Sequence, residues 1–405
     1  MKKILIILAS VIVVAGLGVG IYYYFFAPGS ATITVGGNPF DGTGSGVVTN
    51  SDTPLTDENG VSSGAGTEVA PRLVKITNGP VALGVSSSLK ISTTTSGTST
   101  PPTVVKDVEV HFIERTSGNI YSYLARARSL TRISNKTLPG IQKASWTPSG
   151  STAFVQFLSK DQGSEQVATY SLSSTGGNGF FLEPNLEQAT VVDASTLLTL
   201  LSGTSGSVAT VSKIDGSGAK SLFTSNLSSL HVLPSLSSYF AVSKASASLD
   251  GYGFGVKSGG FTRILGPLRG LSILPSPSGK SVLYSYTDAG TYHLSVLDVA
   301  NHTATALPVA TLVEKCVWSA DSLSVYCGVP TTLAGRLPDA WYQGATSFSD
   351  RLWKIDMTAR IASLVVDPQE VGKVSLDMVS LSTDASQDFL VFTDKTTNSL
   401  WVYDL

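Results

Sequence analysis

The chain has 405 residues, of which 42% are hydrophobic and only 14% are charged. This length can bury a large core, and the abundance of Ser, Thr and Gly favours many short strands and turns over long helices. The formal net charge of −2 excludes the strongly basic surface with which nucleic-acid-binding domains hold phosphate, so we expect no nucleic-acid partner.

An uncharged apolar segment runs from Ile4 to Phe26 and is long enough to cross a bilayer core of about 30 Å as a helix. Lys2 and Lys3 precede it, and the next basic residue is Arg72. The positive-inside rule therefore places the N-terminus in the cytoplasm and the remainder outside. A cleaved signal peptide is the alternative, although its apolar region should span only about 7–15 residues. We expect residues 1–27 to be a single-pass anchor in the inner (cytoplasmic) membrane.

Residues 28–71 form the next segment. They are rich in Gly, Ser, Thr, Asn and Asp and show no sustained hydrophobic period. Such a composition cannot bury enough apolar surface to order itself. We therefore expect a flexible linker, whose root-mean-square span is on the order of 35–40 Å.

From residue 72 onward, short apolar strands alternate with turns rich in Ser, Pro, Asp and Gly, which is a repeating hairpin signal. An apolar residue at the centre of each second strand recurs at separations of 44, 42, 43, 42 and 65 residues; these positions are Phe154, Leu198, Phe240, Leu283, Val325 and Leu390. Four of these separations match the period of about 40–45 residues of a four-stranded propeller blade. We predict an all-β fold, a seven-bladed β-propeller over residues 72–405. Six or eight blades are the alternatives, and an irregular β-sandwich is the competing fold.

Several turns carry a family resemblance. The sequences WTPSG, PSPSGK and WSADS resemble the W-S-P-D-G turn of TolB-type and WD-repeat-like propellers, as do the third strands LSVLDV, LWKIDM and LWVYDL. The segment VHFIERTSGNIYSYL, residues 110–124, also resembles membrane-anchored bacterial propellers of unassigned function. The resemblance implies the propeller fold and leaves the activity open, because propellers host many unrelated activities.

The last strand pattern, LWVYDL, has no outer strand after it, whereas RLVKITNG, residues 72–79, reads as an outer strand with no blade before it. We therefore expect residues 72–77 to pair with residues 401–405. That pairing would close the ring and remove an exposed sheet edge.

The longest separation reflects an insertion at residues 328–350, between a second and a third strand. It carries Arg336, Asp339, Trp341 and Tyr342, and Trp, Tyr and Arg are enriched at binding hot spots. Strand order places the insertion on the face opposite the attachment of the linker. We predict that these four residues bind a partner; the alternative is that Trp341 and Tyr342 fold back and cap the blade.

Little in the sequence points to chemistry. His111, His231, His293 and His302 lie far apart, without the spacing of metal ligands, and no G-x-S-x-G nucleophile elbow occurs. We predict no catalytic residue, cofactor or metal. Cys316 and Cys327 would lie directly opposite each other across a turn, so a disulfide and a pair of buried thiols both remain open.

These observations predict a membrane-anchored, extracytoplasmic β-propeller that acts as a protein-binding or envelope scaffold module, with the membrane contacted through residues 4–26. They do not favour an enzyme. The alternative is a glycan-binding or glycan-cleaving propeller with acidic residues in its central funnel.

Overall fold

The computed structural model describes residues 71–94, 103–135, 138–161, 164–177, 179–257, 259–333 and 335–405. The predicted anchor, residues 1–27, and nearly all of the predicted linker, residues 28–71, lie outside this described part of the chain. Among the described residues, no helix is long and apolar enough to cross a membrane.

Antiparallel strands dominate the described residues. The strands of the first half are β1 Leu73–Lys75, β2 Ser86–Thr94, β3 Thr103–Ile113, β4 Ile120–Leu124, β5 Ser129–Arg132, β6 Ile141–Trp146, β7 Thr152–Asp161, β8 Ser164–Ser173, β9 Leu186–Val191, β10 Thr196–Gly203, β11 Gly206–Lys213, β12 Lys220–Ser225 and β13 Leu230–Pro234. Those of the second half are β14 Tyr239–Ser243, β15 Asp250–Lys257, β16 Gly260–Pro275, β17 Ser281–Asp288, β18 Thr291–Asp298, β19 Thr303–Ala306, β20 Cys316–Trp318, β21 Ser324–Pro330, β22 Asp350–Asp356, β23 Ile361–Val366, β24 Met378–Thr383, β25 Phe389–Asp394 and β26 Leu400–Asp404. Two one-turn helices, α1 (Asp339–Tyr342) and α2 (Pro368–Val371), and a 3₁₀ turn (Val313–Lys315) join them.

The repeating unit is a four-stranded antiparallel meander. Strands β2 to β5, β9 to β12 and β20 to β23 each form one such sheet, and β6 to β8 form a three-stranded sheet. An isolated bridge between Tyr170 and Phe181 stands beside β8, where the other sheets have a fourth strand. The period read from the sequence is therefore that of one meander.

The largest sheet holds two such units, because one long strand belongs to both. The first half of β16 pairs with β15, and its second half, from Arg269 to Pro275, pairs with β17. Its first half is thus the fourth strand of the unit that starts with β13, and its second half is the first strand of the unit that ends with β19.

The apolar core lies between neighbouring units. One cluster joins Ile113 and Ile120 of the β2–β5 unit to Trp146 and Ala153 of the β6–β8 unit. Another joins Leu283, Trp318 and Ile355 from two later units. Trp146 and Trp318 also have the same polar role, since each donates its indole N–H to a carbonyl of the preceding unit, at 3.2 and 3.1 Å.

The last sheet combines the two ends of the described chain. Strand β1 pairs antiparallel with β26, with Leu73 opposite Tyr403 and Lys75 opposite Trp401. The N–H of Asp404 donates to the carbonyl of Arg72 at 3.0 Å. Residues from the range 72–77 therefore supply the fourth strand of this sheet, and β26 is paired on both sides.

The order of strands defines two faces. The upper face is the one at which the first strand of each unit begins and the second strand ends. The lower face is the one at which the third strand ends. Leu73 lies beside the end of β26, a third strand, so the chain enters at the lower face. The insertion lies between β21 and β22, a second and a third strand, and so belongs to the upper face.

Candidate functional site

The insertion forms a cap on the upper face. We call residues 331–333 and 335–349 the cap segment; it contains α1. The side chains of Leu337, Trp341 and Phe348 are buried, whereas Arg336 and Tyr342 are exposed. The segment thus has an apolar side against the protein and a polar side toward solvent.

The cap segment reaches well beyond its own unit. The Asp339 carboxylate accepts a hydrogen bond from the N–H of Ala247 at 2.6 Å, and Arg336 donates to the hydroxyl of Ser248. The Thr287 hydroxyl donates to the carbonyl of Leu337 at 3.2 Å. Ala247 and Thr287 belong to the two preceding units, so the cap segment is fixed on that side by polar contacts.

Trp341 fixes the opposite side of the cap segment. Its indole N–H donates to the carboxylate of Asp377, with 3.0 and 3.1 Å to the two oxygens. The Lys395 ammonium donates to the carbonyl of Trp341 at 2.7 Å. Asp377 directly precedes β24 and Lys395 follows β25, so this contact joins the cap segment to the last unit.

A buried ion cluster lies beneath Trp341. The Lys315 ammonium lies 2.7 Å from Oδ2 of Asp350 and also binds Asp377, and all three side chains are completely buried. The Lys315 ammonium also lies 5.2 Å from the centroid of the Trp341 ring and 5.3 Å from the centroid of the Phe348 ring. Buried charges need such partners, because the desolvation of an unpaired ion costs several kcal/mol.

Asp350 is the least satisfied member of this cluster. Its Oδ2 accepts from Lys315 and from the N–H of Met378 at 2.7 Å, whereas Oδ1 is buried and has no hydrogen-bond partner in the described part of the chain. Burial raises the pKa of Asp350 to about 6 even though Lys315 opposes the rise. The cluster therefore contains a carboxyl group whose protonated form is favoured by burial.

Glu314, which directly precedes Lys315, is a half-buried carboxylate. Glu314 accepts hydrogen bonds from the hydroxyl of Ser272 at 2.7 Å and from the hydroxyl of Tyr342. Burial, followed by the charge of Glu314, raises the pKa of the buried Tyr292. The hydroxyl of Tyr342 thus donates to a carboxylate, and the hydroxyls of Tyr292 and Ser285 share a hydrogen bond of 3.3 Å.

The sequence-predicted partner residues have different positions. Arg336 is exposed, Tyr342 is 41% exposed and Asp339 is half-buried, but Trp341 is only 3% exposed. Trp341 therefore packs inward, as in the capping alternative, while Arg336 and Tyr342 remain accessible. Their role in binding a partner stays a prediction.

The two cysteines are joined. Cys316 of β20 lies directly opposite Cys327 of β21, and a disulfide links them across a Cα–Cα distance of 4.1 Å. The bond ties the strand that follows Lys315 to the strand that leads into the cap segment.

The histidines do not converge. His111 is buried and contacts the carbonyl of Gly150 at 3.0 Å, His293 stacks on Tyr286, and His302 lies in a turn. His231 is accessible to solvent in the first strand of its unit. Within the described residues, no group of three or more His, Cys, Asp or Glu side chains could hold a metal.

Sequence reasoning missed Lys315, Asp350 and Asp377. One signal was available: Lys315 follows Glu314 within the mostly apolar run TLVEKCVW, where a buried charge requires a partner. The identity of that partner was not available, because Asp377 lies 62 residues further along the chain. Only the packing of two neighbouring units brings them together.

Comparisons with known proteins show the fold. No protein-family model matches this chain, and no curated protein matches it. The β-propeller domain of the Trilobed protease from Pyrococcus furiosus is 9% identical, with a TM-score of 0.53, and the match covers 80% of this chain and 95% of that chain. Oligogalacturonate lyase from Vibrio parahaemolyticus is 9% identical, with a TM-score of 0.51, over 80% and 98% of the two chains. TolB from Acinetobacter baumannii aligns at 12% identity and a TM-score of 0.42, over 69% and 78%.

The chain therefore has a β-propeller fold, and the all-β propeller expected from the sequence is confirmed. At these identities the likeness extends to the fold alone, because one scaffold serves many activities. One difference concerns closure: the Pyrococcus furiosus domain has an open velcro topology, whereas β1 and β26 are paired here.

Proposed function

We propose that this chain is a membrane-anchored, extracytoplasmic, seven-bladed β-propeller that binds a protein or envelope partner through its cap segment. The blade count treats each meander as one blade, with two blades in the seven-stranded sheet and one in each of the other five sheets. The anchor is the apolar segment from Ile4 to Phe26, and its orientation follows from Lys2 and Lys3.

The observation that carries the proposal is the fixation of the cap segment. Hydrogen bonds from Ala247, Thr287 and Lys395 hold it from three other units, while Arg336 and Tyr342 stay exposed. A loop that is already ordered loses little conformational freedom on binding, so more of its contact energy appears as affinity. Arg and Tyr are also the residue types that most often dominate binding energies.

The two faces suit a partner that lies away from the anchor. The chain enters beside the end of β26, on the lower face, and the cap segment belongs to the upper face. A propeller tethered at one face leaves the other free for a partner in the envelope.

A glycan-cleaving function receives less support. Glycoside hydrolysis needs two carboxyl groups that both reach the scissile bond. Asp350 and Asp377 do meet, but they are fully buried and bound by Lys315. A sugar could not contact them while the cap segment is in place.

Site-specific photo-crosslinking in living cells tests partner binding. A photoreactive phenylalanine analogue replaces Gln343, which is exposed on the cap segment, and in a matched variant it replaces Leu323, which is 56% exposed in the β20–β21 turn of the lower face. We expect a discrete crosslinked product from position 343 and not from position 323. No product from 343, or the same product from both positions, would refute binding through the cap segment.

Proteolysis of spheroplasts tests the proposed topology. Protease added outside should cut within residues 28–71 and release the propeller. Protection of that segment in intact spheroplasts, together with cleavage after lysis, would show that the N-in, C-out orientation is wrong.

A further inference from the structure

A cleft of about 340 Å³ opens beside the cap segment on the upper face. Its walls come from the cap segment, from β16, from the β17–β18 hairpin and from the link between β14 and β15. The lining includes Arg336, Leu337, Arg269, Thr287, Tyr292 and Ala247. Three separate units thus contribute to one concave site.

Two guanidinium groups line this cleft, and none of its described lining residues is acidic. Arg336 donates to the hydroxyl of Ser248, a neutral partner. The carboxylate nearest to Arg269 belongs to Asp250, at 3.9 Å from Nε, which is too long for a hydrogen bond. Both side chains of that pair are more than half exposed, at 65% and 54%. Neither arginine is therefore neutralised by a close, buried carboxylate in the described part of the chain.

The remaining lining gives the site an apolar wall. Leu337, Tyr292 and Ala247 are apolar or present an aromatic ring. The carboxylate of Asp339 points to the N–H of Ala247 at 2.6 Å, so it is already bound. A ligand that suits the cleft has an anionic, planar head for the arginine forks and a short aliphatic stem for the apolar wall.

We propose that the Arg269–Arg336 cleft binds a glutamate or aspartate side chain of an acidic peptide segment in the partner. The inference rests on the proposed function, because it specifies the chemistry of the partner that the cap segment meets. The carboxylate accepts hydrogen bonds from both guanidinium groups and displaces Arg269 from its loose contact with Asp250. The aliphatic part of the side chain packs on Leu337.

Fluorescence anisotropy with the full chain in nanodiscs tests this site. The probes are a fluorescein-labelled tetraglutamate peptide and a matched tetraglutamine peptide. We expect the tetraglutamate peptide to bind more tightly than the tetraglutamine peptide, and its affinity to fall as the salt concentration is raised. The R269Q/R336Q variant should lose about tenfold or more in affinity, since hydrogen bonds between charged groups are lost.

Two further variants keep the test independent of folding. R263Q removes the same charge from the same strand, at an exposed position outside the cleft lining, and should bind the peptide as the wild type does. D250N removes the competing carboxylate and should bind it more tightly. Unchanged binding by R269Q/R336Q, equal binding of the two peptides, or displacement by inorganic phosphate at far lower concentration than by acetate would each overturn the proposal.

The crosslinking experiment separates the two proposals. A product at position 343 that persists undiminished in R269Q/R336Q would refute the carboxylate site and leave partner binding intact. Peptide binding that depends on both arginines, without any product at position 343, would support the site and refute the partner on the cap segment.

Discussion

Lys315 and Asp350 form a completely buried ion pair, with 2.7 Å between Nζ and Oδ2. Lys315 precedes β20 and Asp350 begins β22, so the pair spans the base of the cap segment. Asp377 joins the same ammonium from the last unit. Buried ion pairs contribute little net stability when intact, but the loss of one member leaves a charge without compensation.

Replacing Lys315 by Met should therefore be strongly destabilising. The variant keeps a side chain of similar length but leaves Asp350 and Asp377 buried together without a cation. We expect a loss of about 3–5 kcal/mol in the free energy of unfolding, measured by denaturant titration. The loss should shrink as pH falls, because the Asp350 carboxyl, whose pKa is raised by burial, then becomes protonated.

Lys280→Met is the matched control. Lys280 is exposed, so its replacement should change the free energy of unfolding by no more than about 0.5 kcal/mol. Equal stabilities of the two variants would mean that the ammonium of Lys315 does not compensate buried carboxylates.

Asp350 should make stability depend on pH. Its pKa is raised from 3.8 to about 6 in the folded protein, so between about pH 4 and pH 6 the folded state holds a proton that the unfolded state has lost. The stability that this proton contributes is fully present below about pH 4 and is lost as pH rises through about 6. The difference between the pKa of 3.8 and that of about 6 corresponds to about 3 kcal/mol.

Asp350→Asn removes this titration. As pH rises from 4 to 7, the wild type should lose up to about 3 kcal/mol in free energy of unfolding relative to D350N. Thermal or denaturant melts across that range measure it. Parallel stability curves for the two proteins would show that Asp350 has no raised pKa.

The Cys316–Cys327 disulfide closes a short loop around the β20–β21 turn. Its removal in the C316A/C327A double variant should lower the free energy of unfolding by about 2–4 kcal/mol, because the unfolded chain regains conformational freedom. Dithiothreitol should lower the unfolding midpoint of the wild type and leave that of the double variant unchanged. Two free thiols per denatured wild-type chain, measured without reductant, would contradict the bond.

The repeat was readable from the sequence because the signal is local. Each second strand carries buried apolar residues, such as Leu198 and Leu283, between turns rich in Ser, Asp and Gly. These patterns recur with the length of one meander, whatever the neighbouring units do. The pairing of β1 with β26 was also predictable, since RLVKITNG has the pattern of an outer strand and LWVYDL that of a third strand.

The candidate site was only partly readable because its contacts are long-range. Composition identified Arg336, Asp339, Trp341 and Tyr342 as unusual, but a Trp that binds a partner and a Trp that fills the core look alike in sequence. Trp341 turns inward because Asp377 accepts its N–H and Lys395 binds its carbonyl. Those residues lie in another unit, and no local pattern links them to the cap segment.

The closure of the ring gives the last prediction. Deleting residues 1–70 leaves β1 in place, whereas deleting residues 1–78 removes it and exposes the edge of β26. The longer deletion loses the bonds from Asp404 N–H to the Arg72 carbonyl and from Ile76 N–H to the Leu400 carbonyl, at 3.0 and 2.8 Å. Each such bond contributes about 0.5–1.5 kcal/mol, against a total of about 5–15 kcal/mol for a typical domain. We therefore expect the 71–405 chain to melt cooperatively and the 79–405 chain to melt far lower or aggregate.

A point variant tests the same pairing without a deletion. Val74 lies opposite Val402 and two residues from both Arg72 and Ile76, which form the two hydrogen bonds to β26 given above. Because hydrogen-bonded pairs alternate along an antiparallel ladder, the N–H of Val74 also donates to β26. Val74→Pro removes that donor and should lower the free energy of unfolding by about 1–3 kcal/mol. Val74→Thr keeps the N–H and the branched Cβ, and should behave like the wild type. If V74P and V74T melt at the same temperature, and the two deletions do as well, the ring does not depend on β1 for its closure.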